Sequence, residues 1–179
     1  IIFKTIDNIA PDFVTGSARI DSLFYILLQN NPSQNSRRYC NVQLLIDDNI
    51  FTDQFGINEV IPDDFLVEVI QEDGFSSSAN IENIILIDAD DFESDSIIFQ
   101  IKFDEVPSGK EKFFIRPANN NAIYDIGQNS MSAGSTSDTL TTFDLRFPTI
   151  DSTSLEHEGF VDLIMDSPII IKFSEPINI

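Results

Sequence analysis

The start of this chain comes round again near its end, and nothing else in it constrains the fold as tightly. Lys4-Thr-Ile-Asp-Asn-Ile-Ala-Pro-Asp-Phe13 reappears as Thr141-Thr-Phe-Asp-Leu-Arg-Phe-Pro-Thr-Ile150. Asp7, Pro11 and Ser17 match Asp144, Pro148 and Ser154, each pair 137 residues apart. The register continues: residues 24–28 align with 161–165 and, after a longer loop in the first copy, 42–50 align with 169–177. A period of that length is a whole domain, so the chain reads as a window on a tandem array. On that ruler, residues 1–6 are the last strand of a preceding unit, 7–143 are one complete unit, and 144–179 are a linker and the first two strands of the next. Two strands cannot bury their apolar faces alone. Residues 144–179 are therefore expected to pack on the complete unit, pair with another molecule or stay unordered.

Strand patterns dominate the complete unit. Residues 96–103 alternate, with Ile97, Phe99, Ile101 and Phe103 on one face and Gln100 and Lys102 on the other. Residues 65–70 alternate likewise, with Phe65, Val67 and Val69 inward. Residues 19–28, 41–46, 81–87, 112–116 and 139–143 add further strands. Gly, Pro, Asn, Asp and Ser clusters separate them, as in an all-β sandwich of about seven or more strands. No stretch has a convincing helical period. A single helical turn fits residues 61–65, where Pro62 and two Asp suit a first turn. The loop 119–138, rich in Asn, Ser, Gly and Thr, is expected to lie on the surface.

The net charge is −20, with 30 acidic against 10 basic side chains, so the basic footprint that nucleic acid demands is missing. Anionic membrane surfaces are disfavoured on the same ground, and no apolar run approaches a membrane span. Divalent cations remain compatible, because they take clustered carboxylate and carbonyl oxygens. The lone Cys40 cannot form an internal disulfide and reads as a small buried apolar residue. The chain opens at Ile1 without Met and stops directly after a strand pattern, so both ends read as cuts or processing sites.

Ile169-Ile-Ile-Lys-Phe-Ser-Glu-Pro-Ile177 resembles an opening strand of the bacterial Ig-like domains strung along large surface proteins and adhesins. Asp144-Leu-Arg-Phe-Pro-Thr-Ile150 resembles the linker that precedes it in that family. Ile46-Asp-Asp-Asn-Ile-Phe-Thr-Asp53 is the divergent counterpart of that strand in the complete unit. Pro62-Asp-Asp-Phe-Leu-Val67 and Pro107-Ser-Gly-Lys-Glu-Lys-Phe-Phe-Ile-Arg-Pro117 follow in the family's order. Ile123-Tyr-Asp-Ile-Gly-Gln-Asn-Ser-Met131 is similar to the family's closing motif, departing from it where Gln128 stands between Gly127 and Asn129. The resemblance implies an Ig-like β-sandwich, export to the cell surface and a role in extended adhesive or structural filaments.

Calcium is the sharpest candidate ligand. Ca2+ takes six to eight oxygens, several from carboxylates. Asp47, Asp48 and Asp53 share one loop after a strand, Asp125 and Asn129 lie in the closing loop, and Asp7 and Asp144 lie at the unit junctions. Solvated surface acids are the bland alternative, in keeping with the abundance of acidic residues. Other motifs fall short. The run 88–95 fails as an EF-hand, with Glu93 where glycine is required and Phe99 where an acid is required. His157-Glu158 lacks a second histidine, since position 161 is Val. The adjacent pairs Asp63-Asp64 and Asp90-Asp91 point to opposite faces if extended. Arg37-Arg38 reads as a loop charge pair.

The leading expectation is a non-enzymatic structural or adhesive repeat of a secreted, extracellular cell-surface protein or fibre. Neighbouring repeats or like subunits would be its partners, joined by β-strand addition and stiffened by Ca2+. The competing class is a secreted β-sandwich that displays a carbohydrate or protein site. A cell-surface or glycan ligand would be its partner, although the absence of Trp, with three Tyr, weighs against a sugar held on an aromatic platform.

Overall fold

A computed structural model of the chain describes residues 7–29, 33, 35–70, 74, 76–87, 95–154 and 169–177. Residues 1–6, read above as a preceding strand, and residues 88–94 of the acidic run lie outside them. So do residues 161–165 and His157. The chain divides into two compact units, Ile1–Leu145 and Arg146–Ile179.

The first unit is all-β in its sheets. Its elements are β1 (Arg19–Ile20), α1 (Ser22–Gln29), β2 (Tyr39–Ile46), β3 (Phe65–Ile70), β4 (Ala79–Ile87), β5 (Asp95–Phe103), β6 (Lys112–Pro117) and β7 (Leu140–Thr141). One antiparallel sheet runs β1-β2-β5-β4 and another runs β3-β6-β7. The alternation of β5 is realised in full: Ile97, Phe99, Ile101 and Phe103 are all buried. They meet Val42, Leu44 and Ile46 of β2 and Phe65, Phe113 and Ile115 of the other sheet in one core. Phe65 meets Phe99 edge-on with ring centres 4.9 Å apart, and Phe103 meets Phe113 at 5.4 Å. Such edge-to-face pairs tie two sheets beyond simple area burial. The turn expected at 61–65 is a 3-10 turn at Pro62–Asp64, where the Asp64 carboxylate reaches back to the Ile61 N–H at 2.8 Å.

Three expectations are corrected. Residues 19–28 are not one strand: β1 covers only Arg19–Ile20, and Ser22–Gln29 is helix. The Asp21 carboxylate accepts from the Leu23 and Phe24 N–H groups at 2.9 and 3.2 Å, which makes it an N-cap that turns the chain out of the sheet. Loop 119–138 is not wholly on the surface. Ala122, Ile123, Asp125, Met131 and Ser137 are buried, because the loop folds back through the Met131 N–H to Ile123 O bond of 2.9 Å. Arg37 and Arg38 are clamps. Arg37 is buried and donates to Leu145 O at 3.0 Å, and Arg38 donates to Phe103 O at 2.7 Å.

The second unit contains β8 (Ile150–Thr153) paired antiparallel with β9 (Ile171–Phe173). The strand over residues 150–153 lies where the sequence reading expects no strand. Around its closing bridge the pairing repeats that of the first unit. In the first unit Phe13 bridges Ile46, the Asp47 N–H donates to Asp12 O at 3.1 Å, and the Asp12 N–H donates to the Asp47 side chain at 2.7 Å. In the second, Ile150 pairs with Phe173, the Ser174 N–H donates to Thr149 O at 2.9 Å, and the Thr149 N–H donates to the Ser174 hydroxyl at 3.0 Å. These are the residues that the sequence recurrence aligns. Ser17 and its counterpart Ser154 each accept a strand N–H at the hydroxyl, from Leu45 and from Ile170, though the second donor lies two residues earlier in the aligned strand, beyond a bulge in that pairing.

Candidate functional site

Three of the seven candidate cation ligands meet. Carboxylate oxygens of Asp7, Asp48 and Asp125 lie within 4.8 Å of one another. They come from three distant segments, joined by specific pairings. The Phe13–Ile46 bridge lays the N-terminal segment beside the end of β2, and Asp48 follows two residues later. Phe51 and Tyr124 exchange N–H to O bonds of 2.8 Å each, which brings the closing loop to the same place. Asn129, a fourth candidate, locks the arrangement. Its side-chain amide donates to Asp7 O at 3.2 Å, Ile9 O at 3.1 Å and Asp125 Oδ2 at 2.8 Å, and its N–H donates to Asp125 Oδ1 at 2.7 Å. A Cβ on Gly127 would lie 2.9 Å from the Asn129 side-chain nitrogen, so the turn there has no room for a side chain.

The three acids differ in environment. Asp125 is buried, Asp48 is half-buried and Asp7 is exposed. Burial pushes the Asp48 carboxyl above its ordinary value; the Asn49 N–H opposes this, and the charges of Asp125, Asp7 and Asp47 add to the rise. Carboxylates gathered this way gain from a cation or a proton. Their hard oxygen donors suit a divalent ion such as Ca2+.

The remaining candidates are engaged elsewhere. Asp47 caps the Asp12 N–H. Asp53 accepts from the Phe55 N–H at 2.7 Å and from the Asn58 N–H at 3.0 Å, closing its own loop. Desolvation pushes the Asp53 carboxyl up, but these donors outweigh it and hold the group below its ordinary value. Asp144 forms a bridge with Ser108 and offers its carbonyl to the Tyr25 hydroxyl at 3.2 Å.

Two acids that the sequence reading passed over hold the first unit together. Glu111 is fully buried and gathers donors from three segments: the Ser76 N–H at 3.2 Å, the Ser108 N–H at 2.9 Å and the Thr142 hydroxyl at 2.9 Å. Asp104 accepts from the Ser76 and Ser77 hydroxyls and from the Ser77 and Ser78 N–H groups. Desolvation raises the Asp104 carboxyl, yet these donors override it and hold the group well below the usual carboxylate range. The Ser76-Ser-Ser78 run beside an acid was the available signal, since short hydroxyl side chains favour local caps and turns. No family model, no curated protein and no solved structure matches the chain.

Proposed function

We propose that this chain is a non-enzymatic structural module, a run of Ig-like β-sandwich repeats from an extracellular surface protein or fibre. The observation that carries the reading is the shared pairing of the two units. A sequence recurrence that reproduces the same bridge, the same backbone bond and the same side-chain cap in both copies behaves as a structural repeat. Repeats of this kind serve by being linked, each sandwich acting as one rigid segment. Two of the three clustered acids recur as well: Asp144 is the counterpart of Asp7, and Glu175 of Asp48. Ca2+ held by Asp7, Asp48 and Asp125 is part of the proposal, as a stiffener of the first unit, and β-strand addition is its mode of assembly.

Surface labelling tests the location. Antibodies against residues 7–143 should stain intact source cells, and staining that needs permeabilisation would defeat the reading. For calcium, the melting temperature of the full chain should rise on titration with CaCl2 and fall back with EDTA. A melt indifferent to both removes the ion from the proposal.

A second reading, a carbohydrate- or protein-binding module, has its own supporting observation. A groove of about 300 Å³ lies beside β1 and β2, lined by Arg19, Asp21, Asn41 and Gln43 together with Leu23 and Ile98. Asn41 lines the groove, and its buried Oδ1 has no hydrogen-bond partner among the described residues, so it is an acceptor left to be satisfied. Selective retention on a glycan array, lost in Asn41→Leu, would favour this reading over the structural one.

A further inference from the structure

The groove beside β1 lies on the outer face of its sheet. Cys40, Val42 and Leu44 are buried, so alternation along β2 turns Asn41 and Gln43 outward, with Ile98 of β5 opposite Gln43. β1 ends at Ile20, and the Asp21 N–H donates to Asn41 O at 2.9 Å where the chain leaves for α1. Arg19 at the end of β1 and Ser22 and Leu23 at the start of α1 thus border one groove of about 300 Å³.

Two opposite charges line it, and each is held by neutral groups. Ser96 Oγ accepts from Gln43 Nε2 at 3.0 Å, and Gln43 Oε1 accepts from Arg19 Nε and Nη2 at 3.3 and 2.8 Å. That relay fixes the guanidinium and leaves Nη1 without a partner among the described residues. Asp21 Oδ1 caps the Leu23 and Phe24 N–H groups, and Asp21 Oδ2 accepts from no described residue. Arg19 and Asp21 are both exposed and stand two residues apart, yet they form no ion pair with each other. Asn41 brings the unsatisfied Oδ1 to the same groove.

We propose that the groove binds a free α-amino acid with an aliphatic side chain, its carboxylate on Arg19 and its ammonium group on Asp21. This goes beyond the second reading and shares only the groove with it. A guanidinium with a free edge takes a carboxylate through charge-assisted hydrogen bonds. The ammonium group has three N–H donors. One suits Asp21 Oδ2, and another suits Asn41 Oδ1 once that amide turns outward about its soft χ2 torsion. Leu23 and Ile98 supply the apolar surface for the side chain. The volume stands at the small end of ligand sites, which fits a single amino acid. Charge weighs against other small ligands. A purely anionic one meets the repulsion of a chain of net charge −20, whereas a zwitterion carries no net charge. A neutral sugar leaves Arg19 and Asp21 without counter-charges, and among the described residues no aromatic ring lines the groove to stack it.

The experiment uses the full chain, labelled with nitrogen-15, with L-leucine as the probe. Amide signals of residues 19–23, 41 and 43 should shift and saturate at millimolar leucine or below, while those of β6 and β9 stay in place. Isoamylamine and isocaproate each carry one half of the leucine head group, and each should bind at least about tenfold more weakly. Asp21→Asn keeps the helix cap, because Asn caps as well as Asp, and removes only the charge. Arg19→Gln removes the other charge. Each variant should weaken leucine binding about tenfold or more with an unchanged circular dichroism spectrum. The comparison of leucine with its two halves needs no substitution, so it decides the matter even where a variant fails to fold. Shifts that do not saturate by roughly tens of millimolar leucine overturn the proposal. So does equal affinity for leucine and either half, or leucine binding untouched in both variants. A sugar that shifts these amides where leucine does not overturns it too and returns the groove to the second reading.

Discussion

Replacing Glu111 and Gly74 singly and together tests how the first unit is held. Glu111→Ala removes the acceptor for the Ser76 N–H and the Thr142 hydroxyl, both on buried residues. Each buried donor left unmet costs about 1–3 kcal/mol, so the substitution should cost about 2–6 kcal/mol. That is a large part of the stability of an ordinary domain. Gly74→Ala acts from the other side. Its Cβ would lie 2.6 Å from Glu111 Cγ, 2.7 Å from Cδ and 2.8 Å from Oε1, too close for any rotamer adjustment to be free. Overpacking of this kind costs roughly 1–3 kcal/mol. In the Glu111→Ala background those three atoms are gone, and the added methyl should cost almost nothing. The double variant is then more stable than the sum of the singles by about 1–3 kcal/mol. Urea unfolding followed by circular dichroism measures this, since the chain has no Trp to report by fluorescence. A coupling within about 0.5 kcal/mol of zero would refute the contact.

Three further outcomes follow from individual side chains. The folded Asp48 carboxyl lies above its ordinary value of 3.8 through burial and neighbouring charges, so the folded state holds more protons there than the unfolded one. Its stabilising contribution is full below the unfolded value and lost as pH rises through the folded one. Asp48→Asn should therefore raise the melting temperature at neutral pH in metal-free buffer and give no such gain near pH 3, and equal shifts at both would contradict this. Burial, with the charge of Asp21 adding to it, pushes the Cys40 thiol up to about 12. Iodoacetamide should modify it only as fast as the protein unfolds, and prompt labelling of folded protein would count against its burial. Gln128 has φ of 71°, a conformation that strains an L-residue by about 1–2 kcal/mol, while glycine's extra chain entropy returns about 0.5–1 kcal/mol. Gln128→Gly should raise the melting temperature by roughly 2–4 °C, and a fall would show that the Gln128 side chain matters more than its backbone.

The core was legible where a period of two runs unbroken. Ile97, Phe99, Ile101 and Phe103 alternate with polar residues, and the structure buries all of them. Residues 22–29 were not legible by the same means, because a short run of apolar residues looks alike as strand or helix. The distinguishing signal was local: Asp21 stands where an N-cap belongs. Loop 119–138 misled through composition. Ala122, Ile123 and Met131 reach the core because a turn between them sends both arms inward, while Ile126 at the turn stays exposed. The acidic cluster was half legible. Asp7, Asp48 and Asp125 were all candidates, but which acids meet depends on the Phe13–Ile46 and Phe51–Tyr124 pairings, and no local spacing records those. Asp47 and Asp48 are adjacent, yet one caps the Asp12 N–H and the other joins the cluster.

The clasp at the end of the first unit has a mechanical meaning. Leu145 is tied by its N–H to Pro107 O at 3.0 Å and by its carbonyl to Arg37, while the Thr142 N–H is tied to Glu111 O at 2.9 Å. At the other end, residues 12–14 are stitched to β2 through Asp47 and Leu45. Tension on the two ends of this unit meets those fastenings before it reaches β5, which is flanked by a strand on each side. Pulled in an optical trap, the unit should give a small extension first and rupture as a whole only afterwards. A single rupture with no earlier step would mean that the clasps and the sheet fail together. On this expectation the fastenings serve as a shock absorber, yielding first and re-forming while the sheets behind them stay intact.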